Sequence, residues 1–384
     1  MRSGRVLRGL RCVRCGERTG LRYDTSGCSG CRAAGVPSAL VADHGLSGVD
    51  GPALWAEWSR RRPGLWSHHE LLPVDAAKAV TLAEGATPLL ELDEGVLLKD
   101  ERRNPTGSFK DRFFTTAVSW AREAGASTVA VASSGNAGVA AAAYAAAAGL
   151  ESVVVTTGEI SGTSSGLVRR FGGRLLFGDT PEQRWAILRE HADEWTVLTN
   201  TSEVPVSSLW VGIEGYKTIA YEIVRDLGDV PEVVLAPVSR GDGFAGMWLG
   251  FQELRELGVV SRTPRMVAVE RYPSLSRALR EGAEPPPAGD VAGPVEATSI
   301  SNPQATVMSL RVIRESGGTA VACTDADLHE AAERLGRAGV GVELSSAAGL
   351  VGIDALRRDS LLEPGDRAVA LVTSHAANQP GTLR

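Results

Sequence analysis

The chain has 384 residues, 43% apolar and 22% charged, a balance that excludes a disordered polymer and fits a folded protein of two lobes. A net charge of −6 gives no general reason to expect nucleic acid or an anionic membrane as partner, and no run of ~20 apolar residues is present. Arginines recur through the first dozen residues, so no signal-peptide core develops, and five clustered cysteines are too few for a disulfide framework. A reducing, cytoplasmic setting is the expectation.

The first feature in chain order is two Cys-x-x-Cys pairs, Cys12–Cys15 and Cys28–Cys31, separated by twelve residues. Two such knuckles can close a four-thiolate zinc site, which would be structural because no coordination position stays open. Vestigial or redox cysteines are the alternative.

Next, the segment Leu98–Arg112 leaves a short strand and turns through Asn104, Pro105 and Gly107 into a helix whose first turn carries Lys110. From 129 to 270, β-branched runs alternate with helix-period segments. The expected strands are Val129–Ala132, Ser152–Thr156, Arg174–Phe177, Thr196–Leu198, Val233–Val238 and Met266–Glu270. Expected helices between them include Ala137–Ala148, Pro181–Ala192 and Ala245–Leu257. A Pro/Gly-rich stretch, Glu281–Pro294, reads as an exposed loop. After it come strand Thr319–Cys323, helices Asp325–Ala338 and Ser346–Arg357, and a last strand, Ala368–Val372. Strand, helix, strand is the sign of open α/β lobes with parallel sheets.

Ligands of such sheets bind beyond the carboxyl ends of strands, where loops enter helices. Four loops qualify: Asn104–Lys110, Ser133–Asn136, Ser239–Gly243 and Thr373–His375. A lysine in a first helical turn beside Phe109 meets the positive end of the helix dipole, which favours the neutral, nucleophilic amine; an ordinary solvated lysine is the alternative. Ser133–Asn136 opens an alanine-rich helix and suits an anion, or simply caps the helix. The Gly-containing loop at Ser239, Arg240, Gly241, Asp242 and Gly243 can cradle a phosphate, or form a tight turn. Cys323 reads as a small core residue.

Taken together, Asn104-Pro-Thr-Gly-Ser-Phe-Lys-Asp-Arg112, Ala132-Ser-Ser-Gly-Asn-Ala-Gly138, Glu214-Gly-Tyr-Lys-Thr-Ile-Ala-Tyr-Glu222, the Pro237–Gly246 loop and Thr373-Ser-His375 resemble threonine synthase and its relatives. These are fold type II enzymes of pyridoxal 5′-phosphate in the tryptophan synthase beta-like superfamily. The resemblance runs from about residue 80 to the end. It implies two α/β lobes with the cofactor in the cleft and a smaller lobe at about 118–210 inserted in the larger, while the cysteine pairs mark a zinc-ribbon-like segment over 1–36 ahead of a catalytic region 37–384. It also implies that Lys110 holds the cofactor as a Schiff base and, once freed, moves protons at the substrate α-carbon. Asn136 would meet the ring hydroxyl, Ser133, Ser134, Gly135 and Asn136 the substrate carboxylate, residues 239–243 the phosphate, and Thr373 the pyridine nitrogen. A homodimer acting on a small amino acid is the expected assembly.

Three departures bear on the substrate. Relatives carry a lysine where this chain has Gly162-Thr-Ser-Ser-Gly166, and an Asn-Pro-x-Arg element where it has Asn200 to Trp210. Arg240 stands where small or amide residues are usual, and can grip phosphate, face an anionic substrate or point to solvent. Ser374 replaces an expected glycine, and His375 is an acid/base group or merely retained. The reference reaction is elimination and replacement at the β- or γ-carbon, O-phosphohomoserine to threonine. Either the substrate lacks a γ-phosphate or Arg169, Arg170 or Arg240 binds it differently, and the alternatives to the reference reaction are a paralogue acting on an O-phosphoserine-like or secondary-metabolite amino acid and a silent regulator.

Overall fold

The chain alternates strands and helices so regularly that three sheets account for every strand among the described residues, 6–291 and 293–379 of a computed structural model. At the amino end β1 (Leu7–Cys12), β2 (Arg18–Thr19), the short helix α1 (Ser29–Ala33) and β3 (Leu40–His44) precede α2 (Gly51–Arg60), whose first turn is capped by Asp50. The hairpin β4 (Leu89–Asp93) and β5 (Val96–Asp100) follows, then α3 (Lys110–Glu123). Then come β6 (Thr128–Ala132), α4 (Asn136–Ala148), β7 (Glu151–Thr156), α5 (Gly162–Arg170), β8 (Arg174–Phe177), α6 (Pro181–Glu190), β9 (Thr196–Val197), α7 (Trp210–Tyr216) and α8 (Thr218–Leu227). The rest is β10 (Val233–Pro237), α9 (Asp242–Glu256), β11 (Arg265–Glu270), α10 (Ser274–Glu281), α11 (Val307–Ser316), β12 (Thr319–Ala322), α12 (Asp325–Arg337), α13 (Ala348–Arg358) and β13 (Ala368–Val372).

These elements form two compact units. One runs to Ala86 and resumes over Asn104–Thr218; the other comprises Thr87–Arg103 and everything from Ile219. The first unit holds a parallel sheet of order β8-β7-β6-β9, with a core of Ala130, Val153, Val155, Leu188 and Val197. The chain steps outward from β6 through β7 to β8, then returns to the far side of β6 as β9. The switch point therefore lies at the carboxyl end of β6. The second unit holds the order β12-β11-β10-β13-β5-β4, parallel except for the antiparallel edge strand β4. Its core joins Leu98, Val233, Leu235, Ala370 and Val372 of the sheet to Leu335, Ile353 and Leu356 of α12 and α13. Here the switch point lies between β10 and β13, because β11 and β12 build one way and β13 returns on the other side.

The amino-terminal strands form a third, antiparallel sheet, β2-β1-β3, inside the first unit. It is tied to that unit by Tyr23, whose hydroxyl donates to the Val197 carbonyl at 2.6 Å, and by the Trp210 indole, which donates to the Arg22 carbonyl at 2.9 Å. The Pro/Gly-rich stretch expected to be exposed is largely so, with Glu281, Gly282, Ala288, Asp290, Gly293 and Pro294 exposed, but Pro286 and Gly289 are buried. Gly289 donates to the Pro303 carbonyl, Gln304 to Pro286 and the Ser274 hydroxyl to Pro287, so the backbone groups of Pro286, Pro287 and Gly289 named here are satisfied against neighbouring loops. No helix among the described residues is long and apolar enough to cross a membrane.

Candidate active site

The sequence holds four lysines, and their surroundings differ sharply. Lys78 is exposed and pairs with Glu123 at 3.0 Å. Lys99 and Lys217 are fully buried, and each neutralises a buried carboxylate, Glu222 at 2.8 Å and Glu214 at 2.7 Å. Lys110, half-buried, begins α3, with its Nζ 4.4 Å from the Phe109 ring centre and 5.9 Å from that of Tyr216. The two rings pack at 5.0 Å. Aromatic faces favour the ammonium form, whereas burial and the helix dipole favour the amine, so the rings oppose the neutralising tendency expected of Phe109.

The entry to α3 is rigidly built. Gly107 donates to the Asn104 carbonyl at 2.8 Å, and the Asp111 carboxylate accepts from the amide and hydroxyl of Thr106, both at 2.7 Å. Tyr216 reaches Lys110 because α7 packs tightly on α3. A Cβ at Gly215 would collide with the Arg112 carbonyl oxygen, so only glycine fits there.

The Ser133–Gly135 loop lies at the switch point of the first unit and leads into α4, whose first residue is Asn136. Its two hydroxyls have different duties. Ser133 is buried, and its Oγ accepts from the amides of Gly135 at 3.2 Å and Gly138 at 2.9 Å, so it caps the helix. Ser134 faces the other way, accepting from the Thr156 hydroxyl at 3.2 Å and from Arg184 at 3.1 Å.

In the second unit, the loop Ser239–Gly243 follows β10 and Thr373 follows β13, the two strands that flank the switch point. Gly241 has φ +95° and caps α9, and a Cβ there would collide with Ser309 Oγ. The loop is pinned by its Arg240 carbonyl, which accepts from Ser309 at 2.7 Å and Thr306 at 2.8 Å, while Ser239 Oγ accepts from the Asn302 amide. No side chain of the cap residue covers the first turn of α9, where Asp242 and Gly243 lie. That arrangement suits a phosphate. Thr373 Oγ1 lies 2.8 Å from Ser346 Oγ, which also accepts from the Ser374 amide at 2.9 Å. Sequence reasoning missed Ser346 as the group that orients Thr373. His375 is exposed, and its Nδ1 accepts from the Ala377 amide at 3.0 Å, a turn-capping role.

The altered segments supply no cation at the strand ends. Arg169 and Arg170 are exposed in the last turn of α5, about 10 Å along the helix from its start beyond β7. Asn200 spends its amide within its own loop, donating to the Ser202 carbonyl and accepting from Ser202 and Val206.

The four cysteine thiols all lie within 4.8 Å of one another, with Cys12–Cys31 at 3.7 Å and Cys15–Cys28 at 3.8 Å. Tetrahedral zinc with bonds of ~2.3 Å separates its sulfurs by ~3.8 Å, so the donor set fits. The neighbouring Glu17 amide brings the exposed Cys15 thiol down to about 7, whereas burial raises those of Cys12 and Cys28.

Comparison with known proteins defines the class. The model of the family "Pyridoxal-phosphate dependent enzyme" matches residues 80–374, and the chain belongs to that family. Threonine synthase of Methanosarcina acetivorans is 31% identical, over 97% of this chain and 93% of its own length. That of Methanocaldococcus jannaschii is also 31% identical, covering 84% and 82% respectively. The fold is shared with an L-serine ammonia-lyase from Rhizomucor miehei at a TM-score of 0.65 and 24% identity, over 77% of this chain and 95% of that one. These likenesses make the chain a fold type II, pyridoxal-phosphate-dependent lyase of the threonine synthase type.

Proposed function

We propose that the protein converts O-phosphohomoserine and water to threonine and phosphate, with Lys110 as the residue that carries the cofactor. The observation behind the reading is the setting of Lys110, which begins a helix at the end of the Asn104–Gly107 turn, half-buried beside two aromatic rings. Lys99 and Lys217 are instead committed to buried carboxylates, and Lys78 lies at the surface. Bound pyridoxal 5′-phosphate supplies an electron sink that acidifies the substrate's α C–H. The Lys110 amine would hold the cofactor and would move the proton at the substrate's α-carbon. Asn136 donates to the ring hydroxyl, and the Asn136 amide with the Ser134 hydroxyl receives the substrate carboxylate, the Gly135 amide being given to Ser133 Oγ. Ser239, Arg240, Gly241, Asp242 and Gly243 hold the phosphate by their backbone. The Thr373 hydroxyl, steered by Ser346, meets the pyridine nitrogen. A hydroxyl cannot keep that nitrogen protonated, which moderates the electron sink and suits elimination and replacement.

The finer points follow the same reading. Cys12, Cys15, Cys28 and Cys31 hold a structural zinc, and the enzyme is a cytoplasmic homodimer. A second reading, the same chemistry on another amino acid, is favoured by the solvent-facing Arg169 and Arg170 and the self-satisfied Asn200.

Cofactor-loaded protein given O-phosphohomoserine, O-phosphoserine, threonine and serine in parallel, with phosphate, threonine and keto acid measured, decides between them. Threonine and phosphate in equal amounts from O-phosphohomoserine is the expected result. Products from the other amino acids, with none from O-phosphohomoserine, would overturn the first reading in favour of the second.

A further inference from the structure

A serine hydroxyl has two lone pairs and one hydrogen. At Ser134 both lone pairs are in use, one by the Thr156 hydroxyl at 3.2 Å and one by the Arg184 guanidinium at 3.1 Å. What remains is the hydrogen, so Ser134 is held as a donor, and the charged neighbour strengthens it in that role. All three residues lie at the carboxyl edge of one sheet. Ser134 follows β6, Thr156 ends the adjoining β7, and Arg184 sits in the first turn of α6 beyond β8.

Arg184 itself is incompletely satisfied: its Nε is buried without a hydrogen-bond partner among the described residues. Burial disfavours its charge, and the carboxylates that act against this, Glu159 and Glu182, are both exposed. A buried guanidinium donor without an acceptor destabilises the site, a cost that an arriving oxyanion removes. Arg184 is not held in place by an ion pair among the described residues; its guanidinium reaches a hydroxyl in a loop that also ends in helix amides.

We propose that Arg184, acting with Ser134, is a specificity-determining residue that binds an oxyanion of the amino-acid substrate. The proposal rests on the assignment of Ser134–Asn136 to the substrate site. It supplies a cation at the strand-end edge that Arg169, Arg170 and the Asn200 loop leave without one. Two groups on the substrate share the chemistry, the α-carboxylate and a side-chain phosphate, and a choice of probes separates them.

The test is equilibrium binding to cofactor-loaded protein, by calorimetry, for wild type, Arg184→Gln, Arg184→Lys, Ser134→Ala and the Ser134→Ala/Arg184→Gln double variant. The probes are L-homoserine, L-homoserinamide and O-phospho-L-homoserine. Arg184→Gln should weaken the anionic probe by roughly ten- to hundredfold, and Arg184→Lys should recover part of that loss. The double variant should lose less than the sum of the single variants, because the two groups act on one anion. A loss for L-homoserine that is absent for its amide identifies the carboxylate, and a loss confined to the phosphorylated probe identifies the phosphate. Where O-phospho-L-homoserine turns over, KM should rise with kcat little changed. Binding is read whether or not turnover occurs, so failure of the threonine reaction is distinguishable from failure here. Equal affinity of wild type and Arg184→Gln for all three probes would overturn the proposal, as would strictly additive losses. Should Arg184→Gln fold poorly, unchanged affinity in both Arg184→Lys and Ser134→Ala would overturn it equally.

Discussion

Glu214 is buried between His44 Nε2 at 2.6 Å and the Lys217 ammonium, whose Nζ lies at 2.7 Å. Burial pushes its carboxyl upward, but Lys217 and His44 outweigh that and hold it at about 2. The native carboxyl thus gives up its charge only in stronger acid than an unfolded one, whose usual value is ~4.3. Its stabilising contribution is complete above that value and is lost as pH falls from there toward 2. Glu214→Gln, which leaves Lys217 buried without its carboxylate, should cost roughly 3–5 kcal/mol at neutral pH. In thermal melts from pH 7 down to pH 3, the gap between wild type and variant should narrow below about pH 4.5; a gap independent of pH would contradict the assignment. At this scale the sequence was partly legible. Lys110, Asn136 and Thr373 stand in motifs that mark them. Ser346 and Arg184 are brought to their partners only by strand order, so nothing local identifies them.

Among the elements, the amino-terminal sheet is the one whose stability rests least on its own core. β2 has two residues and α1 has five, and the buried side chains around them include Cys12, Cys28 and Cys31. A metal crosslink between the β1 turn and α1 would supply what so small a core lacks. The double variant Cys12→Ser/Cys15→Ser should lose one zinc per chain by metal analysis and melt several degrees lower, since it loosens a segment bonded to Val197 and Trp210. Full-length wild-type protein that carries no zinc would contradict the reading. The longer elements were legible because their periodicity is strong: β8 and β13 stand where alternation predicts, and β6, β7 and β11 shift by a single residue at their starts. The two-residue strand β2 and the antiparallel β4 are too short or too solvated for a pattern to emerge, whereas β9, expected over Thr196–Leu198, stands at Thr196–Val197. Helix α9 begins at Asp242 and not at Ala245, because the left-handed Gly241 starts the helix directly from the loop.

At the scale of the whole molecule, two open sheets each return the chain to a switch point, and the loops singled out by sequence lie there: Ser133–Asn136 beyond β6, and Ser239–Gly243 and Thr373 beyond β10 and β13. That placement follows from connectivity, which strand-helix alternation reveals in kind but not in order. The substrate is less legible than the chemistry, since it depends on side chains such as Arg184 whose position is set by the fold. With only four lysines in the chain, one measurement decides which of them carries the cofactor. Cofactor-loaded protein is reduced with borohydride, digested, and its peptides mapped by mass spectrometry. A pyridoxyl group on the peptide containing Lys110, with Lys78, Lys99 and Lys217 unmodified, is the predicted result; a pyridoxyl group on any of those three with Lys110 unmodified would contradict it.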